Sequence, residues 1–173
     1  MKLKKKNVVV DRKFLLDLAN DIYNPKTKKF LHLCDGTLQN GPDPTDESRP
    51  MHCGLGELYF AMTGHQPHED KVSEDAVVEK ALELSPLNAD KLRGNLMDDI
   101  EKLNTTRAAK DVLSEAVYNL EDGEVSVKLA ELKEVLNGIP DTNDDDDWCS
   151  VKSYRTRSQR VAKQLREAAK LLP

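Results

Sequence analysis

The chain has 173 residues, 26 Lys and Arg against 31 Asp and Glu, a hydrophobic fraction of 38% and an aromatic fraction of 5%. Its length suits one domain with a real core, and its regular apolar spacing argues against a disordered chain. So few aromatic residues leave Leu, Val and Ala to fill the core, which favours helix packing over a β-sandwich.

Residues 1–10 read as a basic N-terminal tail, with Lys2, Lys4, Lys5 and Lys6 ahead of three valines. Three valines are too few for the apolar part of a secretion signal, and no apolar run approaches bilayer length. With three cysteines, an odd number, the expectation is a cytoplasmic protein in a reducing compartment, without a disulfide framework. Residues 11–173 are expected to form one helical domain.

Asp11 is the expected N-cap of a first helix from Arg12 to about Tyr23, with Phe14, Leu15, Leu18 and Ile22 on one face. Asn24-Pro25 stops it. Lys28 to Leu38 alternates in part and suits a short strand or hairpin arm. Residues 40–50, rich in Gly, Pro, Asp and Ser, read as turn chemistry without a regular element. A second helix is expected from Cys53 to Met62, stopped by Gly64. Ser73 caps a third, ending at Ser85-Pro86, and Asn88 caps a fourth carrying Leu92, Leu96, Ile100 and Leu103. A fifth follows Thr105 or Thr106, with Ala109, Val112, Leu113, Ala116, Val117 and Leu120 as its apolar stripe. A sixth carries Val125, Leu129, Leu132 and Leu136 and closes at Asn137-Gly138. Residues 139–151 read as an acidic loop, and 157–172 as a basic C-terminal helix. The sum is an all-α, bundle-like domain of six or seven helices with a small irregular or β segment near residues 28–50.

Chemistry-bearing residues concentrate between His32 and Glu57, where two of the three cysteines and two of the four histidines fall. A cysteine at a helix start, such as Cys53, has its thiolate stabilised by backbone N–H groups and the helix dipole. A nucleophilic role would require a base, for which His32 is the candidate, and an orienting group such as Asp35. The commoner role, and the one expected for Cys53, is a small buried cysteine packing the helix start. His32, Cys34, His52 and Cys53 are zinc donor types, but His-x-Cys and His-Cys pairs lack the usual knuckle spacing, so no metal site is assigned. The loop from Asp141 begins like a calcium loop and fails where Asp146 and Lys152 replace the needed Gly and Glu. Gly54-Leu55-Gly56 is too short for a dinucleotide fingerprint, and no cofactor is expected.

Charge is unevenly distributed. Glu69 to Asp147 holds 22 acidic and 9 basic residues, a net −13, so the remainder carries +8. The basic last helix, with Arg155, Arg157, Arg160, Lys163, Arg166 and Lys170, is expected to present a solvated face to the acidic loop. Nucleic-acid binding is a lesser reading, because no interleaved aromatics or reading module accompany these residues.

Three patches resemble an uncharacterised family of small bacterial and phage-encoded proteins. They are Cys34-Asp35-Gly36, then Cys53-Gly54-Leu55-Gly56-Glu57-Leu58, then Asn143-Asp144 with Trp148 and Arg155-Thr156 leading into Val161, Leu165, Arg166 and Ala168-Ala169. In this chain Trp148 follows the Asn-Asp pair where the family has it first. The resemblance implies a helical fold and a bacterial or phage origin, and no activity.

The leading reading is a non-enzymatic cytosolic module that binds a protein partner with a basic surface, including the case of a phage-encoded modulator of a host protein. His32, Cys34, Asp35, Gly36, His52, Cys53 and Glu57 form its candidate binding residues. The alternatives are a cysteine-dependent hydrolase or transferase using Cys53 with His32, and a metal-stabilised small domain.

Overall fold

The computed structural model describes residues 8–34, 37–87, 89–119, 124–143 and 151–173. Among them are eight helices and one two-stranded sheet: α1 (Arg12–Ile22), β1 (Gln39–Asp43), β2 (Asp46–His52), α2 (Gly54–Thr63), α3 (Pro67–Asp70), α4 (Glu74–Leu84), α5 (Ala89–Lys102), α6 (Arg107–Asn119), α7 (Glu124–Asn143) and α8 (Val151–Lys170). The domain is helical with a small sheet, so the all-α expectation needs that amendment.

Several helix starts follow the side chains that cap them. Asp11 accepts the Phe14 N–H at 2.7 Å, Ser73 that of Ala76 at 3.3 Å and Thr106 that of Ala109 at 3.3 Å. Gly64 closes α2 in the left-handed region at φ 73°, where a Cβ would be strained.

The helical core is a series of neighbours: α1 on α8, α8 on α7, and α7 on both α4 and α2. Val161, Ala162, Leu165, Ala168 and Ala169 on α8 are buried, facing Leu15, Leu18, Ala19 and Ile22 of α1 and Leu132, Leu136 and Ile139 of α7 in one apolar cluster. Arg166 of α8 donates to the carbonyl of Tyr23 at 2.9 Å and to Asn20 Oδ1 at 3.0 Å. It supplies the cation that the C-terminal turn of α1 lacks in its own sequence. Val10, assigned above to the tail, is buried, and its N–H donates to the Leu84 carbonyl at 3.0 Å.

Four expectations are corrected. Residues 40–50 form a hairpin, with Gln39 opposite His52, Asn40 opposite Met51, Pro42 opposite Pro50 and Asp43 opposite Asp46. A two-stranded ribbon consists of edges alone, so its prolines need no ladder partner on their outer side. The register shifts between Asn40 and Asp43 absorb the rest. Second, α7 continues through Gly138 to Asn143. Leu132, Leu136 and Ile139 extend one buried stripe across the glycine, which outweighs its helix penalty of about 1 kcal/mol. Third, α8 begins six residues before the expected start. Fourth, α3 is an additional helix of four residues, too short to show a period. Residues 144–150, most of the expected acidic loop, lie outside the described residues, as do Asp35 and Gly36.

Of the residues expected in the core from the apolar stripes, Leu58, Leu82, Leu96, Ile100, Leu113, Val117, Leu132 and Leu165, six are buried, and Leu96 is half-buried. Leu113 is 40% exposed, because α5 and α6 pack chiefly on each other and leave one apolar side of α6 uncovered.

Candidate functional site

The hairpin, the start of α2 and the segment around residues 30–34 converge. The Cys34 N–H donates to the His52 carbonyl at 3.0 Å, and the Cys53 N–H to the Leu38 carbonyl at 3.3 Å. The two cysteine segments are therefore neighbours, as the turn-rich stretch between them suggests. Cys53 is the N-cap of α2, its Sγ accepting from the Gly56 N–H at 3.4 Å, and the Cys34 thiol donates to the Thr37 carbonyl at 3.2 Å. Both are only 3% exposed.

The glycines of this turn serve close packing. A Cβ on Gly54 would meet Ile139 Cγ2 of α7 at 2.5 Å and Val161 Cγ1 of α8 at 2.8 Å. A Cβ on Gly56 would lie 1.9 Å from the Leu38 carbonyl oxygen. The Cys-Gly-x-Gly spacing thus wedges the start of α2 between two helices and the hairpin.

Each histidine of the region is matched to a carboxylate. His32 Nδ1 lies 2.9 Å from Asp43 Oδ1, with Thr45 Oγ1 at 3.3 Å, and its ring meets Phe30 and Tyr154 edge-on. Asp43 is buried and also accepts from the Thr45 N–H and hydroxyl, both at 2.7 Å. Burial pushes the Asp43 carboxyl up, but the hydrogen bonds from Thr45 and His32 and the His32 charge outweigh it, leaving a pKa of about 2. His52 Nδ1 sits 3.2 Å from Glu57 Oε1 and Nε2 sits 2.7 Å from Gln66 Oε1. Arg49 donates to the same Glu57 oxygen. These contacts tie β2, α2 and the approach to α3 together; Tyr59, donating to Asp70 at 2.6 Å, adds a second link between α2 and α3.

Of the residues singled out in the sequence, His32, Cys34, His52, Cys53 and Glu57 fall in this one region. The structure pairs His32 with Asp43; Asp35, named in the sequence as an orienting group, lies outside the described residues. Among the described residues, no three His, Cys, Asp or Glu side chains are gathered to hold a metal ion.

Residues missed in the sequence are Asp43, Arg49, Gln66, Arg157 and Ser158. Arg157 belongs to the expected solvated face of α8, yet it and its neighbour Ser158 are buried. Ser158 donates to the Leu31 carbonyl and Arg157 Nη1 to the Leu33 carbonyl at 3.3 Å. A signal was present: positions 157 and 158 precede Val161 and Ala162 by one helical turn, on the same face.

No protein-family model, curated protein or solved structure matches this chain.

Proposed function

We propose that the chain is a non-enzymatic cytosolic interaction module that docks a helix of a partner protein on the uncovered face of α6. The observation that carries this reading is the exposure of Val112, at 66%, beside Leu113, at 40%. With Ala109 and Ala116 at three- and four-residue spacings, they make one contiguous apolar stripe on a helix surface. Such a stripe is the mating half of a helix-to-helix contact. Two acids four residues apart, Asp111 and Glu115, adjoin its edge, whereas Lys110 is turned back to the Glu101 carbonyl at 2.6 Å. A partner with basic residues beside its apolar anchors complements this edge. A second copy of the chain packed antiparallel would bring acid against acid.

The cysteine region supports the same reading, because its thiols are buried and its histidines are held by carboxylates in roles that join elements of the fold. The basic last helix supports it too. Arg166 is used on α1, Arg157 is buried and Arg155 lies 5.3 Å over the Phe30 ring, which leaves less cationic surface for nucleic acid. No helix among the described residues is long and apolar enough to cross a membrane.

The test is a photoreactive residue at position 112, with position 159 on α8 as an exposed control. The reading expects an adduct with a different protein from 112 and none from 159. Adducts with a second copy, or none from 112, would refute it.

A further inference from the structure

Arg157 is 1% exposed, and among the described residues its Nε and Nη2 have no hydrogen-bond partner. These two nitrogens form one edge of the guanidinium, the fork whose parallel N–H groups match the two oxygens of a carboxylate or phosphate. The third nitrogen, Nη1, donates to the Leu33 carbonyl, and the guanidinium carbon sits 5.4 Å from the Tyr154 ring centroid. The plane is therefore held with its fork pointing away from the backbone it already uses.

A buried cation calls for an anion. The buried carboxylates among the described residues are Asp43 and Glu57. Asp43 is taken by His32 and Thr45, and Glu57 by Arg49 and His52. Neither is matched to Arg157.

We propose that the Arg157 fork, bounded by the Leu33 carbonyl and Tyr154, is a binding site for a two-oxygen anion, phosphate or a small carboxylate taken from solution. The proposal is independent of the α6 surface. Because the guanidinium is so deeply placed, the anion enters by local opening, and binding is slow compared with mixing.

The experiment follows the melting temperature of the full chain in sodium phosphate and in sodium acetate, against sodium chloride of equal ionic strength. A saturable rise of about 5 °C or more at a hundredfold excess over the dissociation constant is expected with one of the two anions. A response to phosphate alone identifies a tetrahedral ligand, and a response to acetate a planar one. Arg157→Lys keeps the charge and loses the fork, and should weaken the anion effect about tenfold. Should that variant fail to fold, the Nε–H resonance of Arg157 in the wild-type chain gives a second readout and should shift on titration. No saturable rise and no resonance shift with either anion would overturn the proposal. So would insensitivity to both anions together with a lower melting temperature in Asp35→Asn, since the guanidinium would then be neutralised from within the chain.

Discussion

Gly56 lies directly against the Leu38 carbonyl: a Cβ at that position would come within 1.9 Å of the oxygen. The same oxygen accepts the Cys53 N–H, so the start of α2 and the approach to the hairpin meet through backbone alone. Gly56→Ala must push one backbone away from the other. The expected cost is about 3 kcal/mol, at the upper end for overpacking. Urea denaturation of the variant measures it, and a loss below about 0.5 kcal/mol would mean that the contact yields easily.

Asp43 gives a pH dependence of known sign. Its folded pKa of about 2 lies below the ordinary 3.8. Its contribution is therefore complete above about pH 5 and is lost as the pH falls through the folded pKa near 2. At neutral pH the shift corresponds to about 2 kcal/mol. Asp43→Asn should lower neutral stability by about that amount and flatten the stability profile between roughly pH 4 and pH 2. Chemical denaturation at a series of pH values reads both effects, and a variant with the wild-type slope in that window would remove Asp43 from the account.

Much of the helical framework is legible in the sequence because its signals are local. Asp11, Ser73 and Thr106 cap their helices from within the same turn, and Gly64 and the Ser85-Pro86 pair end theirs. The clustering of His32, Cys34, His52 and Cys53 is also legible, since the turn-rich stretch between the segments allows them to meet. What local reading misses depends on distant partners. The stop expected at Asn137-Gly138 is overridden because Ile139 has α8 to pack against. The hairpin is hidden by prolines that a two-stranded ribbon tolerates. Arg157 looks solvated from its charge, although its helical position places it on the buried face.

The two faces of the helical assembly should respond differently to truncation. Leu165 and Leu132 are fully buried, so replacing either with Ala should cost about 2–5 kcal/mol. Leu113→Ala on the open side of α6 should change stability by less than about 0.5 kcal/mol. Thermal melts of the three variants separate them, and a large loss for Leu113→Ala would mean that the stripe is already covered.

Cys34 and Cys53 are each only 3% exposed, and their sulfurs are bonded to backbone. Both should alkylate slowly in the native chain and quickly in denaturant, since reactivity needs an accessible thiolate. Mass spectrometry after a short iodoacetamide pulse reads each site. Rapid native labelling of Cys53 alone, slowed by His32→Ala, would restore the cysteine-enzyme reading.

If the uncovered stripe of α6 is the docking surface, a crosslinker placed within it meets the partner directly. A photoreactive residue at Ala116 should give an adduct with a partner protein in cells. Leu113→Asp should reduce its yield about tenfold, the effect of about 1.4 kcal/mol of lost binding, and Asp111→Lys with Glu115→Lys should do the same, all without lowering the melting temperature. Adducts formed in equal yield by the parent and by these variants would contradict the account.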